Sequence, residues 1–188
     1  MSAPRYGETA LLTPANLMTG FRILMAPLFV YLVVIDRISW WTSLVGFLAA
    51  SSDYFDGIVA RRHGTTTSGA FLDPLADKIL VLGSLYAIVL ARPHGVTSFL
   101  VPSILITLRE IWMSYYRSRA ARHGISIPAT RIAKWKTFAQ DWAIAFCVLP
   151  VTAHHVWLGE VTIWIAVVLT MYTGWRYFVD GRRLLHAR

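Results

Sequence analysis

The chain has 188 residues, of which 56% are apolar and only 15% charged. That balance excludes an ordinary soluble domain, in which about a quarter of residues carry charge. The net charge of +8 would point to nucleic acid in a soluble protein, but no basic–aromatic binding face accompanies it, so the reading is one integral-membrane domain over residues 1–188 with no nucleic-acid partner.

Residues 1–13 form a short N-terminal segment of mixed composition. The segment does not read as a signal peptide, because the apolar run after it contains Arg22 and no small-residue cleavage site follows. Thr13-Pro14 and Asn16 mark a helix start. A first span is expected from about Leu17 to Ile35, close to the roughly 20 residues that a hydrocarbon core requires. Asn16, Thr19 and Arg22 are its polar residues. Arg22 either snorkels to the interface or faces a ligand.

Asp36-Arg37 is a turn, and a second span follows from about Ser39 to Ile58, with Trp40-Trp41 at the membrane interface. A polar, basic loop covers residues 62–68. The third span runs from about Gly69 to Ala91, and Pro74 either starts or kinks it. After the turn Arg92-Pro93-His94-Gly95 comes a fourth span, from about Val96 to Tyr116, that holds Arg109 and Glu110. A basic stretch with Arg117, Arg119 and Arg122 leads to the breakers Gly124 and Pro128. The fifth span is expected from about Arg131 to Ala153 and the sixth from about Val161 to Val179, before a basic tail. The fold class is therefore all-α: a polytopic bundle of six transmembrane helices.

Of the 18 Lys and Arg residues, only Arg37 and Arg92 fall in or beside the loops of one side. Cytoplasmic loops carry the excess of Lys and Arg, and a basic surface also attracts anionic headgroups of membrane lipids. Both termini are therefore expected in the cytoplasm. Cys147 is the sole cysteine, so an intramolecular disulfide is excluded, and a buried thiol is expected. The histidines lack zinc-type spacing, and His154-His155 reads as a loop.

The stretch from Ser52 to Ile79 concentrates the chemistry. It carries Asp53, Asp56, Asp73 and Asp77, four of the ten acidic residues. An ionised carboxylate at membrane depth costs roughly 3 kcal/mol and usually faces a cavity. At about 100° per residue, Asp53, Asp56, Gly57 and Ala60 fall on one helical stripe, while Asp73 and Asp77 share a face of the next helix. Any one of these Asp residues alone would read as a cap or an ion-pair partner. Four together ask for positive charge, and hard carboxylate oxygens suit two Mg²⁺ or Mn²⁺ ions able to clamp both oxygens in a displacement at phosphorus. Gly57, Ala60 and Gly69 leave room for a ligand to approach the backbone, and Arg61 can donate to a phosphate.

The pattern Asp53-x2-Asp56-Gly57-x2-Ala60-Arg61-x7-Gly69-x3-Asp73-x3-Asp77 resembles the signature of the CDP-alcohol phosphatidyltransferases. The seven residues between Arg61 and Gly69 are fewer than that signature usually has. The resemblance implies that Asp53, Asp56, Asp73 and Asp77 hold two divalent cations and that Asp77 is the catalytic base. It also implies that Gly57, Ala60, Arg61 and Gly69 seat a cytidine diphosphate, and that the protein forms a homodimer.

A second polar group gathers Arg109, Arg131, Lys134 and Lys136 at the ends of the fourth and fifth spans. Arg109 and Glu110 stand out within an apolar run, as an ion pair or with Arg109 facing a cavity. A helix start near Arg131 favours anions, so these cations could hold an acceptor's phosphate. Leu108-Arg109-Glu110, Ile127-Pro128-Ala129 and Lys134-Trp135-Lys136-Thr137 are similar to the bacterial branch of the family that forms phosphatidylglycerophosphate. That similarity implies CDP-diacylglycerol as donor, sn-glycerol 3-phosphate as acceptor, and a multi-pass protein of the bacterial plasma (inner) membrane with its active site on the cytoplasmic side. A sister enzyme using phosphatidylglycerol or an inositol phosphate is the nearest alternative. A divalent-cation transporter is the remote one, disfavoured because the acidic residues lie near one face and no inverted repeat is visible.

Overall fold

The computed structural model describes residues 14–35, 38–63, 67–92, 96–122 and 131–186; over 14–16, 53–63, 67–71, 73, 96, 121–122, 131–134 and 180–186 it describes the course of the backbone alone. Six helices follow in chain order: α1 (Pro14–Ile35), α2 (Trp40–His63), α3 (Thr67–Ala91), α4 (Val96–Arg122), α5 (Arg131–Val148) and α6 (Val156–His186). There is no strand among the described residues, so the all-α expectation holds.

Apolar runs of helical length dictate these elements, and local chemistry trims their ends. Ser39 caps α2, its Oγ accepting from the Thr42 backbone N–H at 3.0 Å, as N-cap hydroxyls do. Pro74 lies inside α3, so that helix neither starts nor stops there. The fifth helix ends at Val148 instead of continuing to Ala153: Pro150 cannot extend it, and residues 149–154 form a turn in which the Ala153 N–H donates to the Leu149 carbonyl at 2.8 Å. The sixth helix starts earlier and ends later than expected, and His154-His155 falls in the loop before it.

Arg92 closes the C-terminal end of α5. Its Nη2 donates to the carbonyls of Cys147 at 2.7 Å and Ala153 at 3.2 Å. The same guanidinium lies 5.8 Å from the Phe99 ring centroid. The last carbonyls of a helix have no intrahelical donor, and a cation there also meets the negative end of the dipole.

Helix α1 packs on both α3 and α2, and α6 packs on both α5 and α4, while α4 meets α3 to join the two groups. The acidic helices α2 and α3 touch each other far less than each touches α1. Phe29, Val33, Leu85, Ile88, Phe99 and Ile106 are buried in the shared core. Gly46 makes room for Phe29 in the α1–α2 contact, since a Cβ there would sit 2.5 Å from the Phe29 ring. Cys147 is buried and free, as expected.

The outside of the bundle is apolar. Leu24, Trp41, Leu90, Val168 and Trp175 are all more than two-thirds or nearly two-thirds exposed, an apolar surface of the kind that meets a membrane or another protein. Among the described residues three helices are long and apolar enough to cross a membrane, over Leu17–Ile35, Pro74–Ala91 and Val156–Val179. The remaining three carry Asp53, Asp56 and Arg61, Arg109 and Glu110, and Lys134 and Lys136, which lower their hydropathy. Trp40, Trp41 and Trp157 stand exposed at the starts of α2 and α6, where an interfacial aromatic belt would lie.

Candidate active site

Two successive helices deliver the four aspartates to one end of the bundle. Asp53 and Asp56 lie in the last turns of α2, followed by Gly57, Ala60 and Arg61; Gly69, Asp73 and Asp77 lie in the first turns of α3. Counted from the helix ends at His63 and Thr67, Asp53 and Asp77 are equally far in, and Asp56 and Asp73 differ by one residue. At about 1.5 Å of rise per residue, the two acidic pairs therefore occupy matched depths on helices running in opposite directions. The side chains of Asp53, Asp56, Gly57, Ala60, Arg61, Gly69 and Asp73 lie outside the described residues; Asp77 is half-buried. Among the described residues no three His, Cys, Asp or Glu side chains converge.

The first helix brings a cation to this end. Arg22 is only 1% exposed, and its Nε donates to Ser52 Oγ at 3.1 Å. Ser52 in turn donates to the Ala49 carbonyl at 2.7 Å. The snorkelling reading therefore fails for Arg22: the guanidinium turns inward, to the residue immediately before Asp53. Thr19, one turn earlier on α1, is fully buried.

The second polar group is built where α4, α5 and α6 meet. Glu110 Oε1 accepts from Arg109 Nη1 at 2.8 Å and also from Lys136 Nζ. Arg109 Nη2 donates to Thr173 Oγ1 on α6 at 2.9 Å. Gly174 gives this guanidinium its space, since a Cβ there would come within 3.3 Å of Arg109 Nε. Next to it Tyr177 is buried, with the Arg117 guanidinium 5.1 Å from its ring centroid. Arg109 and Lys136 thus come together, through Glu110. Arg131 and Lys134 fall in the first turn of α5, and their side chains lie outside the described residues.

One contact ties the two groups. Lys78, next to Asp77 on α3, donates to Ser114 Oγ on α4, and Ser114 Oγ donates to the Glu110 carbonyl at 2.7 Å. Sequence reasoning missed Lys78, Ser114, Thr173, Gly174 and Tyr177. A signal existed for part of this set: Thr170, Thr173 and Tyr177 recur at the three- and four-residue spacing of one helical face, although α6 is otherwise apolar. Gln140 on α5 reaches the same stripe through Thr170 at 3.4 Å.

The chain matches the family model described as CDP-alcohol phosphatidyltransferase over residues 12–172. It is 35% identical over 170 residues to a Rickettsia typhi protein named CDP-diacylglycerol–glycerol-3-phosphate 3-phosphatidyltransferase, covering 87% of this chain and 93% of that one. A Rickettsia prowazekii protein of the same name is likewise 35% identical, over 87% of this chain and 92% of its own. One from Cereibacter sphaeroides, also so named, is 32% identical over 87% and 92%. With the acidic pattern of α2 and α3 intact and the match spanning most of the molecule, this integral-membrane chain belongs to the CDP-alcohol phosphatidyltransferase family.

Proposed function

We propose that this protein transfers the phosphatidyl group of CDP-diacylglycerol to sn-glycerol 3-phosphate, forming phosphatidylglycerophosphate and releasing CMP, as a step of phospholipid synthesis. The names of its relatives support the donor and acceptor. The observation that carries the reading is the pairing of acidic depths on α2 and α3, at the end of the bundle where the Arg109–Glu110–Lys136 cluster is linked to α3 through Lys78.

Four carboxylates at matched levels form a hard-oxygen donor set suited to two Mg²⁺ or Mn²⁺ ions. Asp53, Asp56, Asp73 and Asp77 would hold them, and when bound they would offset charge on the donor's diphosphate. Gly57, Ala60 and Gly69 let the cytidine diphosphate approach the α2 and α3 backbones, and Arg61 donates to it. Asp77 takes the proton from the acceptor hydroxyl. The hydroxyl oxygen bonds to the lipid-side phosphorus, and the bond from that phosphorus to CMP breaks. Arg109, Arg131, Lys134 and Lys136 supply the positive charge of the acceptor-phosphate pole. All six helices cross the membrane, both termini and the site face the cytoplasm, and two copies associate as a homodimer.

The test is CMP release from CDP-diacylglycerol against a panel of acceptors. Release dependent on sn-glycerol 3-phosphate supports the reading. Release dependent on phosphatidylglycerol or inositol phosphate moves the protein to a sister reaction. Divalent-cation flux without CMP release would make it a transporter.

A further inference from the structure

Glu110 stands between two cations drawn from different helices. One arm of Arg109 bonds to Glu110 and the other to Thr173 on α6, which itself donates to the Thr170 carbonyl at 3.0 Å. With its Nε buried against Gly174, this guanidinium is fixed within the protein. Lys136 differs, because an ammonium has three donors and Glu110 takes one of them. Four residues along α4, Ser114 receives Lys78, the neighbour of Asp77. The cluster therefore stands one helical turn along α4 from the residue that Lys78 reaches.

We propose that Glu110 is a positioning residue for the acceptor step, holding the Lys136 ammonium so that its remaining donors meet the acceptor's phosphate. Arg109 serves as the fixed counter-charge. A lysine stem is flexible and its head is a point charge, so without the carboxylate Lys136 loses its orientation. Two buried cations would also be left without the anion between them. This inference rests on the transferase reading above.

The test uses the full-length protein in mixed micelles, with CMP release followed at varied sn-glycerol 3-phosphate and varied CDP-diacylglycerol. Glu110→Gln is expected to raise the KM for sn-glycerol 3-phosphate about tenfold, the scale of one lost charged contact. The KM for CDP-diacylglycerol is expected to stay within about twofold, and Glu110→Asp to recover part of the loss. Lys136→Gln is expected to raise the same KM, and the Glu110→Gln/Lys136→Gln double variant to match it, since residues acting through one another are not additive. If Glu110→Gln fails to fold, Glu110→Asp decides the matter: it keeps a carboxylate between the two cations but shortens its reach, so the KM for sn-glycerol 3-phosphate should still rise while that for CDP-diacylglycerol holds, and two unchanged KM values overturn the proposal. Additive effects, equal changes in both KM values, or no change in either would overturn the proposal. A wild-type protein without acceptor-dependent CMP release overturns the transferase reading instead, and the Glu110 role falls with it.

Discussion

Arg22 donates through Nε to Ser52 Oγ across 3.1 Å, joining a fully buried guanidinium on α1 to the residue before Asp53 on α2. Helix α1 packs on both acidic helices, so a charge carried by α1 helps set where the end of α2 stands. Ser52→Ala removes one hydrogen bond to a charged group and is expected to cost about 2 kcal/mol of stability. Arg22→Met removes the cation beside the acidic group as well. It is expected to lower CMP release far more than Ser52→Ala does. Comparing turnover and thermal unfolding of the two variants checks this, and equal turnover would remove Arg22 from the site.

Asp77→Asn keeps shape and removes the proton acceptor. Turnover is expected to fall by roughly 10²- to 10⁴-fold, the usual contribution of a general base. Binding of CDP-diacylglycerol should survive. Parallel measurement of turnover and of donor binding checks the assignment, and full activity would take the base role away from Asp77.

Chelation should silence the enzyme reversibly. Dialysis against EDTA is expected to abolish CMP release, with recovery on adding Mg²⁺ or Mn²⁺ but not Ca²⁺, whose longer bonds and higher coordination number suit a different cage. Undiminished release after exhaustive chelation would count against a metal role for the four aspartates.

Lys134→Ala is expected to raise the KM for sn-glycerol 3-phosphate about tenfold, as loss of a charge-assisted contact does. The KM for CDP-diacylglycerol should move less. Initial-rate kinetics with each substrate varied in turn checks this, and the reverse pattern would place Lys134 on the nucleotide side.

Arg92 offers a contrasting case at the other end of the bundle. Its guanidinium satisfies carbonyls at the end of α5 and lies against Phe99. Arg92→Gln is expected to cost about 1–2 kcal/mol of stability through lost end-carbonyl bonds and dipole interaction. Both KM values should be unchanged. Thermal unfolding in detergent, paired with initial rates, checks the separation of stability from catalysis.

The six helices and the acidic signature were legible in the sequence because each depends on near neighbours. An apolar run of helical length and the Asp73–Asp77 spacing are both decided within a few residues. Boundaries were less secure: Pro150 stopped α5 early, and α6 carried on into the basic tail because its charged end lies beyond the apolar span. Sequence also placed Arg109, Glu110 and Lys136 in one polar group, but not the bonding among them.

Tertiary packing decided the rest. Arg22 meets Ser52 thirty residues away, Glu110 meets Lys136 across 26, and Arg109 meets Thr173 across 64. No helical period links such positions. Their pairing follows from which faces the helices turn toward one another, and a buried cation must then find an acceptor there because water is absent. The chain alone thus singled out which residues are candidates for the chemistry. The packed bundle decided which of the described side chains meet, because helix faces and not chain neighbours set those pairs.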